Sequence, residues 1–132
     1  MFLLDTNTVS AIAFDATGPA ARRLAQLGGQ RTVVNVIVVG ELLFGLDKRR
    51  TQRLRQRVEG VLSRLEEVAL EPEVGPRYAA LRLALERTGT PIGANDLWIA
   101  AHALTLDATL VTANEWEFRR VDGLRVENWT VA

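Results

Sequence analysis

The strongest constraint in this chain is a repeated pairing. A short apolar, often β-branched run meets polar residues and then a stretch with helical spacing. Phe2–Leu4 runs into Asp5 and a short helix or helical turn over Val9–Phe14. Thr32–Ile37 reads as a second buried strand, followed by a helix over Val38–Leu46. Ala20, Leu24 and Leu27 recur at helical spacing between a Gly18-Pro19 break and a Gly28-Gly29 stop. Thr51–Glu67 reads as a longer helix with one stripe of Leu54, Val58, Val61 and Leu65, and a short strand near Val68–Leu70 precedes Pro72. Val74, Tyr78, Leu81 and Leu85 mark another helix, ended by Gly89. An Ala-rich helix over Leu97–Leu106, a strand over Thr109–Thr112 and a last strand over Leu124–Glu127 complete the pattern. Strands alternating with helices predict an α/β fold with a parallel sheet covered on both faces. At 132 residues the chain suits a single domain, 1–132.

Sheets of this kind bind ligands beyond the carboxyl ends of their strands, and this chain puts acids there. Asp5 follows the first strand. Glu41 follows the second, in "VVGELLFG", with apolar neighbours on both sides. Asp96 stands at the head of the Ala-rich helix, as its N-cap or just inside a helix capped by Asn95. The strand "ATLVT" runs into "ANEWEF", which offers Asn114, Glu115 and Glu117. Each acid alone has a plainer reading: Asp5 as a helix cap, Glu41 on a solvated face, the two last glutamates on the surface. Together they make a stronger case. Two carboxylates about 5 Å apart repel by about 3 kcal/mol at an effective dielectric of about 20. A cluster must therefore be protonated or neutralised by cations. No Lys lies within these segments, the single His, His102, stands well down the Ala-rich helix from Asp96, and all-oxygen donors select Mg²⁺ or Mn²⁺ over zinc.

Four segments carry a family likeness: "LDTNTVS", "VVGELLFG", "GTPIGANDLWIAAHA" and "LVTANEWEFRRVDGLRVENW". With them the chain resembles the PIN-domain ribonucleases, specifically the VapC-type toxins of toxin–antitoxin pairs, over nearly its whole length. The resemblance implies a three-layer α/β/α sandwich with strand order 3-2-1-4-5. It implies a divalent-metal-dependent endoribonuclease, cleaving cellular RNA with metal-activated water, with Asp5, Glu41 and Asp96 as metal-binding acids. Glu117 is the fourth by its place before Phe118, and Asn114 the next choice. Thr6, Asn7, Ser10 and Thr112, with Asn114, would orient carboxylates or substrate. It also implies Mg²⁺ or Mn²⁺ as cofactor, a VapB-type antitoxin as partner, and a homodimer.

Composition narrows the alternatives. There is no Cys, which removes thiol catalysis and Cys-based zinc sites and fits a reducing, cytoplasmic setting. Asp5 interrupts the opening apolar run, so no signal peptide is expected. The richest apolar stretch, Val33–Gly45, contains Asn35 and Glu41 and is too short to span a bilayer. The basic side comprises 15 Arg and one Lys. "LLDTNTV" also resembles the first motif of haloacid-dehalogenase-type phosphatases, but Asn7 stands where their second Asp is needed, and the only lysine, Lys48, lies in a basic run. A PIN-like binding module without activity would lack acids that are present here. No GxGxxG or GKS/GKT loop supports a nucleotide-cofactor enzyme.

Lys48, Arg49, Arg50, Arg53, Arg55 and Arg57 crowd ten positions. They read either as a solvated helix face, partly paired with Glu59, Glu66 and Glu67, or as a patch that tracks phosphates. His102 reads as a packing residue. Trp98, Trp116 and Trp129 read as core or interface, and Leu42, Leu43 and Phe44 as core.

Overall fold

The computed structural model describes residues 1–131. Five short strands, β1 (Phe2–Leu4), β2 (Thr32–Val34), β3 (Glu66–Glu67), β4 (Thr109–Val111) and β5 (Val126–Glu127), form one parallel sheet in the order β3-β2-β1-β4-β5. Seven helices connect them: α1 (Thr6–Phe14), α2 (Pro19–Gln26), α3 (Val36–Arg49), α4 (Gln52–Leu62), α5 (Val74–Arg87), α6 (Ala94–Leu106) and α7 (Glu115–Phe118). Successive residues of a strand point to opposite faces, yet Phe2, Leu3 and Leu4 are all buried. Both faces are therefore covered, which makes the fold a three-layer sandwich.

The central position of β1 follows from its composition. It pairs with β2 on one side and β4 on the other, and its side chains join Val33, Val34, Leu110 and Val111 in the core. The second strand stops at Val34, short of Ile37, because the Asn35 side chain accepts from Val38 N at 3.0 Å and starts α3. The same amide ties the fold together. Its Oδ1 is committed to Val38, so its Nδ2 faces His102 Nδ1 at 3.0 Å and donates to it. His102 is fully buried, and burial pulls its pKa below the usual imidazole value, so it stays neutral. It packs α6 against the β2–α3 junction, in the structural role its apolar setting predicts.

Three expectations are corrected. The Thr51–Glu67 helix ends at Leu62, and Leu65 packs from the turn that follows. The third strand is Glu66–Glu67 and not Val68–Leu70, although Val68 N still donates to Val34 O at 2.9 Å. An edge strand pairs through its backbone alone, so its two exposed glutamates carry no apolar signal, and they blunt the open edge. The basic run does not lie on one helix: Lys48 and Arg49 end α3, Arg50 turns the chain at φ 53°, and Arg53, Arg55 and Arg57 lie on α4.

Aromatic residues divide by position. Trp129 is buried edge-on to Phe2, with ring centroids 5.4 Å apart. Trp98 is half-buried and stacks on Tyr78 at 3.8 Å. Trp116 is 67% exposed, and Phe44 and Leu43 face outward on α3 instead of entering the core. Among the described residues no helix is long and apolar enough to cross a membrane.

Candidate active site

The pocket is assembled where β1, β2 and β4 end. Asp5 is the residue after β1. Its backbone N donates to Val111 O at 3.1 Å, and its Oδ1 accepts from Thr8 N at 3.0 Å, so one carboxylate both caps α1 and faces the site. Thr8 Oγ1 donates to Val111 O at 3.0 Å, locking the start of α1 to the end of β4. Thr112, the residue after β4, is buried. Its hydroxyl accepts from Asn114 N at 2.9 Å and hydrogen-bonds the Asp5 carboxylate.

Glu41 sits on the second turn of α3, half-buried, and both its oxygens are held. Thr6 Oγ1 donates to Oε1 at 2.7 Å, and Asn95 Nδ2 donates to Oε2 at 3.3 Å. Asp96 lies in the first turn of α6. The cap of that helix is Gly93, so neither Asp96 nor Asn95 caps it. A glycine has no side chain with which to satisfy the first free N–H groups of the helix. Gly93 N instead donates to Glu117 Oε1 at 3.0 Å, and the Asn114 amide holds Glu117 Oε2. Glu115 turns elsewhere, to Arg119 at 3.1 Å and Asn128 at 3.1 Å. Of the three side chains offered for the fourth position, Glu117 and Asn114 reach the site and Glu115 does not. Among the described residues Asn7 and Ser10 hydrogen-bond no carboxylate; they line a groove beside Thr6 and Glu41.

The electrostatics follow from this crowding. Burial raises the Asp5 pKa above its usual value; hydrogen bonds from Thr112 and Thr8 oppose the rise, and the Glu41 charge adds to it. Asp96 is pushed up to about 7, first by burial, then by the charge of Glu117 and a hydrogen bond to it, then by Glu41 and Asp5. At neutral pH the Asp96 carboxyl therefore holds a proton a large part of the time. Among the described residues no Arg or Lys forms an ion pair with any of these four acids.

The donor set suits a hard divalent cation: carboxylate oxygens, one amide, no sulfur and no imidazole. The excess negative charge that holds a proton on Asp96 is the charge such an ion would offset. Among the described residues no three acidic or imidazole groups are drawn into a ready coordination sphere. Their oxygens are engaged by Thr6, Asn95, Gly93 and Asn114 instead. Asn95 and the Gly93 N–H are contributors that the sequence reading did not single out as donors. The "IGAND" run places both at the start of a helix, but nothing in it announces a carboxylate partner.

Comparison with known proteins agrees along the whole chain. The family model for the PIN domain matches residues 2–124. Ribonuclease VapC2 of Rickettsia felis is 36% identical over 131 residues, covering 98% of each chain. The tRNA(fMet)-specific endonuclease VapC of Salmonella typhimurium is 34% identical over 129 residues, covering 97% of each. Among solved structures, VapBC2 from Rickettsia felis bound to a DNA fragment from their promoter matches with a TM-score of 0.90 at 33% identity, covering 97% of this chain and 98% of that one. DNA-bound VapBC from Salmonella typhimurium matches with a TM-score of 0.85 at 33% identity, covering 97% of each chain.

Proposed function

This chain belongs to the PIN-domain family, among the VapC ribonucleases, and on that premise we propose that residues 1–132 form one domain acting as a divalent-metal-dependent endoribonuclease. In this reading it is the toxin of a toxin–antitoxin pair and cleaves cellular RNA. The observation that carries the reading is the elevation of Asp96 to about 7, first by burial and then by the charges of Glu117, Glu41 and Asp5. Four acids, one just after β1 and the others on α3, α6 and α7, feel one another where no cationic side chain among the described residues pairs with them.

Asp5, Glu41, Asp96 and Glu117 would hold Mg²⁺ or Mn²⁺. When bound, such an ion supplies water activation and charge neutralisation at the scissile phosphorus. The protein's own part is positioning. Thr6 and Asn95 fix both oxygens of Glu41, while Gly93 and Asn114 fix both oxygens of Glu117. Thr8 and Thr112 fix Asp5. Asp96 would have to give up its proton to serve as an anionic ligand. With the ion in place, a carboxylate would accept the proton of the attacking water, and the products would carry 5′-phosphate and 3′-hydroxyl ends. No histidine takes part: His102 is buried among α3 and α6 residues and hydrogen-bonds Asn35.

The structures it resembles are VapBC assemblies, which supports a VapB-type antitoxin as partner; a homodimer is the working form we propose for the toxin from its family membership. The test is to induce the wild type and Asp5→Asn in cells and map new RNA 5′ ends. Growth arrest with discrete ends in the wild type alone is the expected result. Identical end maps from the two proteins would refute the reading.

A further inference from the structure

Helices α1 and α3 leave the acidic pocket in the same direction. At the inner end Thr6 touches Glu41, and at the outer end the Arg49 guanidinium lies over the Phe14 ring, 5.8 Å from its centroid. Eight residues of each helix separate these contacts, which is about 12 Å of rise. Between them runs a groove of about 220 Å³, with Leu54 and Val58 of α4 on its wall.

The outer end combines exposed rings with cations. Phe14 is 48% exposed under Arg49, and Phe44 is 65% exposed with Lys48 Nζ 5.3 Å from its ring centroid. Of the six bases from Lys48 to Arg57, only Arg55 is in an ion pair, with Asp47 at 2.6 Å and Glu59 at 3.9 Å. The other five have no acidic partner among the described residues, on a chain whose formal charge is zero. Arg50 adds a separate observation. It holds a left-handed backbone at φ 53°, a conformation glycine adopts without steric cost, and its exposed side chain makes no ion pair or hydrogen bond among the described residues. The fold gains nothing from an arginine there.

We infer that this groove and the α3–α4 shoulder form the entry track for single-stranded RNA. Arg49, Arg50 and Arg53 neutralise phosphates, and Phe14 stacks beneath a base before the strand reaches Glu41. Cations beside exposed rings are the combination with which single strands are held. The groove is too small for a duplex. An apolar peptide helix would use the rings and leave the unpaired arginines without a role. The direction of the track rests on the nuclease reading above.

The test uses the full chain carrying Asp5→Asn, so that binding is read without cleavage. The probe is a fluorescein-labelled, mixed-sequence, single-stranded oligoribonucleotide, followed by anisotropy across a salt series. Replacing Arg49→Gln, Arg50→Gly or Arg53→Gln should each reduce the salt slope by about 0.7. Phe14→Ala should weaken binding about tenfold with the slope unchanged. Arg50→Gly should melt no lower than its parent, which separates a lost contact from a lost fold. Unchanged affinity and slope in the three arginine variants would overturn the inference, as would equal binding of the matching duplex. So would variants that keep RNA affinity but lose a co-purifying protein, which would make this face a protein dock. If the variants behave as expected while the wild type leaves the probe uncut with Mg²⁺ or Mn²⁺, the track stands and the nuclease reading fails.

Discussion

Thr6 Oγ1 donates to Glu41 Oε1 at 2.7 Å, so the first residue of one helix aims an acid carried by another. Thr6→Val keeps the shape and removes the donor. Cleavage should fall by about 10–100-fold, the usual cost of losing a group that orients a ligand. Thr6→Ser should retain most of the rate. Steady-state kinetics on a labelled RNA, with circular dichroism to check the fold, distinguishes the two; equal rates in Thr6→Val and wild type would remove Thr6 from the site.

Asp5 has two tasks that substitution can separate. Asparagine caps helices about as well as aspartate, so Asp5→Asn should lose cleavage while its melting temperature does not fall. Asp5→Ala should lose cleavage and also about 1 kcal/mol of stability through the missing cap to Thr8 N. Urea denaturation of both variants measures the difference.

Asp96 makes stability depend on pH. Its pKa rises from 3.8 to about 7 on folding, so the folded chain binds this proton more tightly than the unfolded one. That contribution is complete below about pH 4 and is lost as pH climbs to about 7. Asp5 shifts in the same direction and adds the same sign. Metal-free protein should therefore melt higher near pH 5 than near pH 8 as far as these groups decide it, and Asp96→Asn should flatten the trend. Adding Mg²⁺ or Mn²⁺ should stabilise most at the alkaline end, where no proton competes for the carboxylates. Thermal melts across pH, with and without the ion, provide the check.

Glu115 and Glu117 are two residues apart and have separate partners. Glu117→Gln removes a charge that acts on Asp96, so cleavage should fall at least tenfold. Glu115→Gln disturbs only contacts to Arg119 and Asn128 and should cleave as the wild type does. A reversed order of effects would transfer the fourth position to Glu115.

Asn35→Ala should be among the most damaging changes outside the pocket. It deletes a helix cap, costing about 1 kcal/mol, and strips a buried imidazole nitrogen of its donor, costing about 1–3 kcal/mol more. Chemical denaturation measures the sum.

The arrangement of strands was legible because Phe2–Leu4, Val33–Val34 and Leu110–Val111 are apolar runs that only a sheet covered on both faces can bury. The acids were legible because each follows a strand or opens a helix. Glu66–Glu67 was not legible as a strand, since an edge pairs through backbone groups and its exposed side chains obey the solvent. The division of the basic run was hidden because an arginine, and not a glycine, makes the left-handed turn at residue 50. Phe44 and Leu43 misled because apolar character alone does not say which side of a helix meets the sheet. The donors to Glu41 and Glu117 come from Asn95 and a glycine N–H, and neither their type nor their spacing announces a carboxylate partner.

The sheet order has a consequence for how the protein is made. The strand at the middle of the sheet is made before the other four, and its β4 neighbour and the last acid, Glu117, come more than a hundred residues later. A chain interrupted anywhere before that point lacks one wall of the pocket and part of its charge. During translation the four acids cannot meet until α7 has been made, so a growing copy is without its complete site until then.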